Sequence, residues 1–215
     1  MSYSFQKQLL LGLLLCTVLV SCSGKTTKAD QANEAVATSV NNQFLDVEKL
    51  IPDAILDVRY ATTNNFTKQV VYDSATVYLV ANAAIALQKV ATDLRKSGLV
   101  LVLFDGYRPI AVQEKFWEIY PNPTFVADPK SGSRHNRGAA IDLSLAYANG
   151  TYLNMPTDYD YFGEEAAQSY MELTQEQIEN RSILRNAMEK QGFTALDSEW
   201  WHFDFSDWEQ YPIIR

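Results

Sequence analysis

The sequence predicts an α+β fold, a single domain with a central antiparallel sheet flanked by helices. Three observations lead there. Of the 215 residues, 47% are hydrophobic and 12% aromatic, enough for one core rather than two. Helix-like and strand-like segments follow one another without the repeated strand–helix unit of a parallel α/β fold. Both cysteines, Cys16 and Cys22, lie near the N-terminus, so the domain has no disulfide framework or thiolate site and its stability rests on its core.

Residues 1–21 read as a targeting segment. Lys7 precedes a 12-residue, mostly apolar run from Leu9 to Val20. A membrane-spanning helix needs about 20 residues, whereas this length suits a signal-peptide core. The run ends in Leu19-Val20-Ser21-Cys22, which resembles the lipobox of bacterial lipoproteins. That resemblance implies cleavage before Cys22, lipid on Cys22, and a location in the cell envelope, anchored to the membrane. The alternative is an ordinary signal peptide with a chance cysteine. Residues 22–43 carry Ser, Thr, Lys, Ala, Asn and Gln and read as a flexible tether. The catalytic domain is then expected over 44–215.

Within that domain, Ala81 to Lys96 is Ala-rich, with Ile85, Leu87, Val90, Ala91 and Leu94 as its apolar positions and Gly98 as a stop, which predicts a helix. Leu99 to Phe104 is a short apolar run after glycine and predicts a buried strand. Pro109 suits the first turn of a helix from about Ile110 to Tyr120. Ala140 to Leu145 alternates as a strand, with Ile141, Leu143 and Leu145 on one face and Asp142 and Ser144 on the other. Thr174 and Gln177 form a capping-box pattern for a helix ending near Gly192. The aromatic run Trp200 to Phe205 predicts a last strand.

A net charge of -8, with no cluster of Lys and Arg, argues against nucleic acid as a partner, and no obligate protein partner is evident. The chain has two histidines, His135 and His202. The first lies in Ser133-Arg134-His135-Asn136-Arg137-Gly138-Ala139-Ala140-Ile141-Asp142, the second in Glu199-Trp200-Trp201-His202. An odd separation in one straight strand would put His135 and Asp142 on opposite faces, so Gly138 is expected to bend the chain and fold His135 back over the strand. A buried carboxylate at Asp142 needs a cation or several donors. His135, Asp142 and His202 supply the three protein ligands of a catalytic zinc site. A bend near Ser198 would let Glu199 reach a water at the metal without becoming a ligand, where a general base belongs. Taken singly, either histidine is more readily read as a packed or surface residue than as a ligand.

The pattern Ser133-x-His135-x2-Gly138-x-Ala140-x-Asp142 with Glu199-x2-His202 resembles the D-alanyl-D-alanine dipeptidases, a group of zinc peptidases. So do Asp57-Val58-Arg59-Tyr60-Ala61-Thr62-x2-Asn65-Phe66, Asp105-Gly106-Tyr107-Arg108-Pro109, and Met155 to Phe162 with Asp160. The resemblance runs from about Asp46 to Ser206. It implies a fold of the zinc D,D-peptidase type, one Zn2+ per chain on His135, Asp142 and His202, Glu199 as base, and Arg108 as the group that holds the developing oxyanion; the three-residue spacing separately suggests Asp105 to orient Arg108. It also implies Asp160 near the substrate ammonium, Ser133 and Tyr60 around the substrate pocket, and D-alanyl-D-alanine as the small dipeptide cut. Two other readings stay open: a zinc D,D- or L,D-carboxypeptidase acting on peptidoglycan stem peptides, and a non-catalytic lipoprotein that binds wall fragments.

Overall fold

The structure is a computed structural model, and it describes residues 43–215. The signal segment, Cys22 and the tether through residue 42 lie outside the described residues.

The chain opens with a short strand, β1 (Phe44–Asp46), and one helical turn, α1 (Val47–Leu50), capped by the Asp46 side chain. β2 (Ile55–Leu56) and β3 (Tyr78–Val80) follow, then the predicted Ala-rich helix α2 (Ala81–Arg95). Its buried stripe is Ala83, Ala84, Leu87, Val90, Ala91 and Leu94, the three- and four-residue spacing of one helix face. Ile85 falls off that stripe and is exposed, contrary to the sequence expectation.

β4 (Leu99–Asp105) and α3 (Ile110–Ile119) form where the apolar run and Pro109 predicted them. β5 (Ala140–Tyr147) is buried on both faces except at its last residue. α4 (Gln175–Glu189) has both halves of the Thr174–Gln177 capping box. β6 (Phe193–Ala195) and β7 (His202–Phe205) finish the sheet. β7 begins at His202 rather than at Trp200. Trp200 and Trp201 sit in a bend and are buried as core side chains instead of strand residues.

β1 and β3 pair by themselves, and the main sheet has five strands in the order β2-β4-β5-β7-β6. All its pairs are antiparallel except β2–β4, which is parallel. α2 lies against β4 and touches α4, which lies against β6. This is the expected single α+β domain, with one parallel pair at the sheet's edge. Among the described residues, no helix is long and apolar enough to cross a membrane.

Two features of the sheet position the site. The β5–β7 register sets Asp142 directly opposite His202. The β4–β5 register shifts between Leu103 and Asp105, and that irregularity brings Asp105 opposite Asp142. Asp105, Asp142 and His202 therefore form a row across three adjacent strands.

Candidate metal centre

His135 reaches the row from a turn. Residues His135–Arg137 form a single 3-10 turn that ends at Gly138 with φ +66, a left-handed conformation that glycine adopts without cost. A Cβ there would also strike the ring of Phe44. The predicted fold-back of His135 over β5 is thus built on the motif glycine. Ser133 Oγ accepts from the His135 backbone N–H at 3.2 Å, and Asn136 Oδ1 accepts from that of Ser133 at 2.7 Å.

His135 Nε2 and His202 Nδ1 lie 3.1 Å apart. Asp142 Oδ1 is 2.9 Å from His202 Nδ1 and 3.3 Å from His135 Nε2. These three atoms form a nearly equilateral triangle. Tetrahedral zinc with ligand bonds of about 2.0–2.1 Å separates its ligand atoms by about 3.3 Å, so one face of such a site has this size.

The outer nitrogens fix what the inner ones present. His135 Nδ1 lies 2.7 Å from the carbonyl of Gly106, which can only accept, so Nδ1 donates and Nε2 turns a lone pair inward. His202 Nε2 donates to Asp204 Oδ1 at 3.0 Å, which leaves Nδ1 facing the centre. With both outer nitrogens donating outward, two lone pairs and a carboxylate face one point, an arrangement that requires a cation. Without a metal, a proton on His202 Nδ1 serves as that cation, donated to Asp142. Burial works against a charge on His202, but hydrogen bonds to Asp142 and Asp204 outweigh it and push its pKa up to about 10. Burial likewise opposes ionisation of Asp142, yet the two imidazoles hold its carboxyl well below the usual range. The donor set of two imidazoles and one carboxylate fits zinc.

A cavity of about 130 Å³ opens on this triangle. All eight side chains expected from the sequence line it: Tyr60, Arg108, Ser133, His135, Asp142, Asp160, Glu199 and His202. Glu199 sits in the turn before β7, as anticipated, although the bend runs on through Trp201. Gln168 Nε2 donates to the backbone carbonyl of Glu199 at 3.3 Å. Burial pushes the Glu199 pKa up to about 8; His202 opposes the shift and Asp142 adds to it.

Arg108 is held rigidly. Its Nε and Nη2 donate to Asp105 Oδ2 at 3.0 and 2.7 Å, and Nη1 donates to Gln113 Oε1 at 2.8 Å. The guanidinium lies over Phe116 at 4.8 Å. Asp105 accepts a further bond from the Tyr72 hydroxyl at 2.7 Å. Asp105 is fully buried, and these three bonds compensate its charge.

Asp160 adopts a left-handed backbone at φ +61, which costs a non-glycine residue roughly 1–2 kcal/mol. Tyr60 donates to its Oδ2 at 2.8 Å. Burial pushes its pKa up to about 7, against the pull of that bond. The wall also carries a second arginine, Arg134, whose guanidinium leans over Trp208 at 4.7 Å and lies 3.5 Å from Asp204. Tyr72, Gln113 and Asp204 hold the site together but are absent from the sequence expectations. A signal existed for Asp204: two residues from His202 in one strand, it shares that histidine's face.

The family described as Peptidase_M15, D-ala-D-ala dipeptidase, matches residues 40–212. The chain belongs to this family. It is 34% identical over 176 residues to the D-alanyl-D-alanine dipeptidase of Escherichia coli (strain K12), a match covering 82% of this chain and 91% of that protein. The D-alanyl-D-alanine dipeptidase of Enterococcus faecalis (strain ATCC 700802 / V583) is 28% identical over 194 residues, covering 80% of this chain and 96% of its own. That of Streptomyces coelicolor (strain ATCC BAA-471 / A3(2) / M145) is 27% identical over 197 residues, at 80% and 96%. The family match spans the whole row of site residues, from Tyr60 to His202.

Proposed function

We propose that the protein is a zinc dipeptidase that hydrolyses D-alanyl-D-alanine to two molecules of D-alanine. The observation that carries this reading is the triangle of His135, Asp142 and His202 at the floor of a small cavity that Glu199 and Arg108 also line. The relatives' names supply the substrate and its D configuration.

Bound zinc supplies Lewis acidity, polarising the peptide carbonyl and making water acidic near neutral pH. Glu199 takes a proton from the attacking water and returns it to the leaving amine. In the metal-free site burial pushes its pKa up to about 8, which favours taking the proton, and the charge of a bound zinc would draw that value back down. Arg108, locked by Asp105 and Gln113, presents a fixed positive charge to the oxyanion, with no reorganisation when that charge develops. Asp160 faces the substrate ammonium, held in place by Tyr60. Ser133 lines the pocket beside the metal, and Arg134 offers the positive charge that the substrate carboxylate needs. Metal analysis with D-alanyl-D-alanine hydrolysis, before and after chelation and zinc return, tests the reading. One zinc per chain and activity that follows the zinc are expected. A zinc-loaded protein without turnover would overturn it, and preferred cleavage of a pentapeptide stem would replace it with the carboxypeptidase reading.

We further propose export and lipid anchoring through Cys22, supported by the apolar run and by Leu19-Val20-Ser21-Cys22. The dipeptide consumed is then one released by wall turnover outside the inner membrane, not a cytosolic precursor. Fractionation should find the protein with membranes and the Cys22→Ser variant released or unprocessed. Full-length, unlipidated protein in the cytosol would refute the proposal.

A further inference from the structure

Asp142 is engaged at both oxygens. Oδ1 faces the two imidazoles, while Oδ2 accepts a hydrogen bond from the Tyr159 hydroxyl at 3.0 Å. Arg108 Nη2 stands off at 3.9 Å. Tyr159 is buried, and no role given above uses it. Its ring stacks on Phe104, with centroids 4.4 Å apart and planes 16° from parallel, and meets Trp201 edge-on at 5.6 Å. Such packing fixes the aim of the hydroxyl. The left-handed turn at Asp160 then sends adjacent side chains to separate partners, Tyr159 to Asp142 and Asp160 to Tyr60.

We infer that Tyr159 is a positioning residue that keeps Asp142 a one-oxygen ligand: by occupying Oδ2, it presents Oδ1 alone to the metal. A catalytic zinc site keeps one coordination position free for water or substrate. With Oδ2 released, rotation about the Cβ–Cγ bond would bring the second oxygen to the metal and fill that position. The inference rests on the metal reading above.

Tyr159→Phe keeps the ring and its stacking and removes only the donor. Cobalt(II) in place of zinc reports ligand number, since its visible absorption is intense with four ligands and weak with more. The parent chain should give the intense band and Tyr159→Phe the weak one, with kcat lower by roughly 10–100-fold, the usual effect of losing an outer partner of a metal ligand, and KM within a few-fold. An unmoved cobalt spectrum and kcat would overturn the inference and leave the metal reading standing. A parent chain that takes up no stoichiometric cobalt would overturn both. Should Tyr159→Phe not fold, 3-fluorotyrosine at position 159 retains ring and hydroxyl and strengthens the donor. The intense four-ligand band should then persist, and a weak band with the donor retained would overturn the inference.

Discussion

At the scale of single residues, the site pairs groups whose ordinary titration is displaced. Glu199→Gln keeps the shape of the side chain and removes its proton transfer. Turnover should fall by roughly 10²–10⁴-fold, the usual share of general acid–base catalysis, with zinc content unchanged by metal analysis. Retained activity would remove Glu199 as the base. The same residue sets a pH dependence in chelated protein. Unfolded, its carboxyl titrates near 4.5; folded, near about 8. The folded state holds the proton more tightly, so this contribution to stability is whole below pH 4.5 and is lost as pH rises through about 8. Denaturant midpoints of metal-free protein should fall across that window, and Glu199→Gln should flatten the fall. His135, Asp142, His202 and Glu199 were legible in the sequence from residue type and spacing, whereas Arg108, Asp160, Ser133 and Tyr60 were legible only through the family resemblance. Tyr159 and Gln113 were not: a phenol 17 residues from Asp142 and an amide five residues from Arg108 acquire their partners only through the folded chain.

At the scale of elements, the three longer helices and the two long strands were readable from periodicity and caps, while the single turn Val47–Leu50 was not. The last strand was not fully so. Trp200 and Trp201 have strand propensity, yet their rings are spent on filling the core at a bend, and that bend is what directs Glu199 into the cavity. The turn at Gly138 was readable because only a bend could unite His135 with Asp142. Gly138→Ala forces a left-handed alanine, costing roughly 1–2 kcal/mol, and sets its methyl against the Phe44 ring. Thermal unfolding should show the loss of stability. Metal affinity should fall with it, because the turn carries His135. Wild-type affinity in a destabilised variant would show that the turn does not position the ligand.

At the scale of the whole molecule, the three ligands come from two strands and a turn that span 67 residues of chain, so a cation at their centre binds the folded state alone. Zinc at about 100 times its dissociation constant should add about 2.7 kcal/mol and raise the melting temperature by roughly 5–10 °C for a chain of this size. Calorimetry with and without chelator measures it. The order of the five strands was beyond the sequence, since β5 is buried on both faces and its pattern names no neighbour. Burial on both faces has a consequence during folding. A slip of one step inverts every side chain of a strand, and in β5 it exchanges Ile141 and Leu143 with Asp142 and Ser144 while all of them stay covered. Here one step would carry His202 away from Asp142. Only the correctly zipped pairing assembles the ligand triangle, so the ion proofreads strand alignment, and refolding in zinc should yield more active protein than adding zinc after refolding is complete.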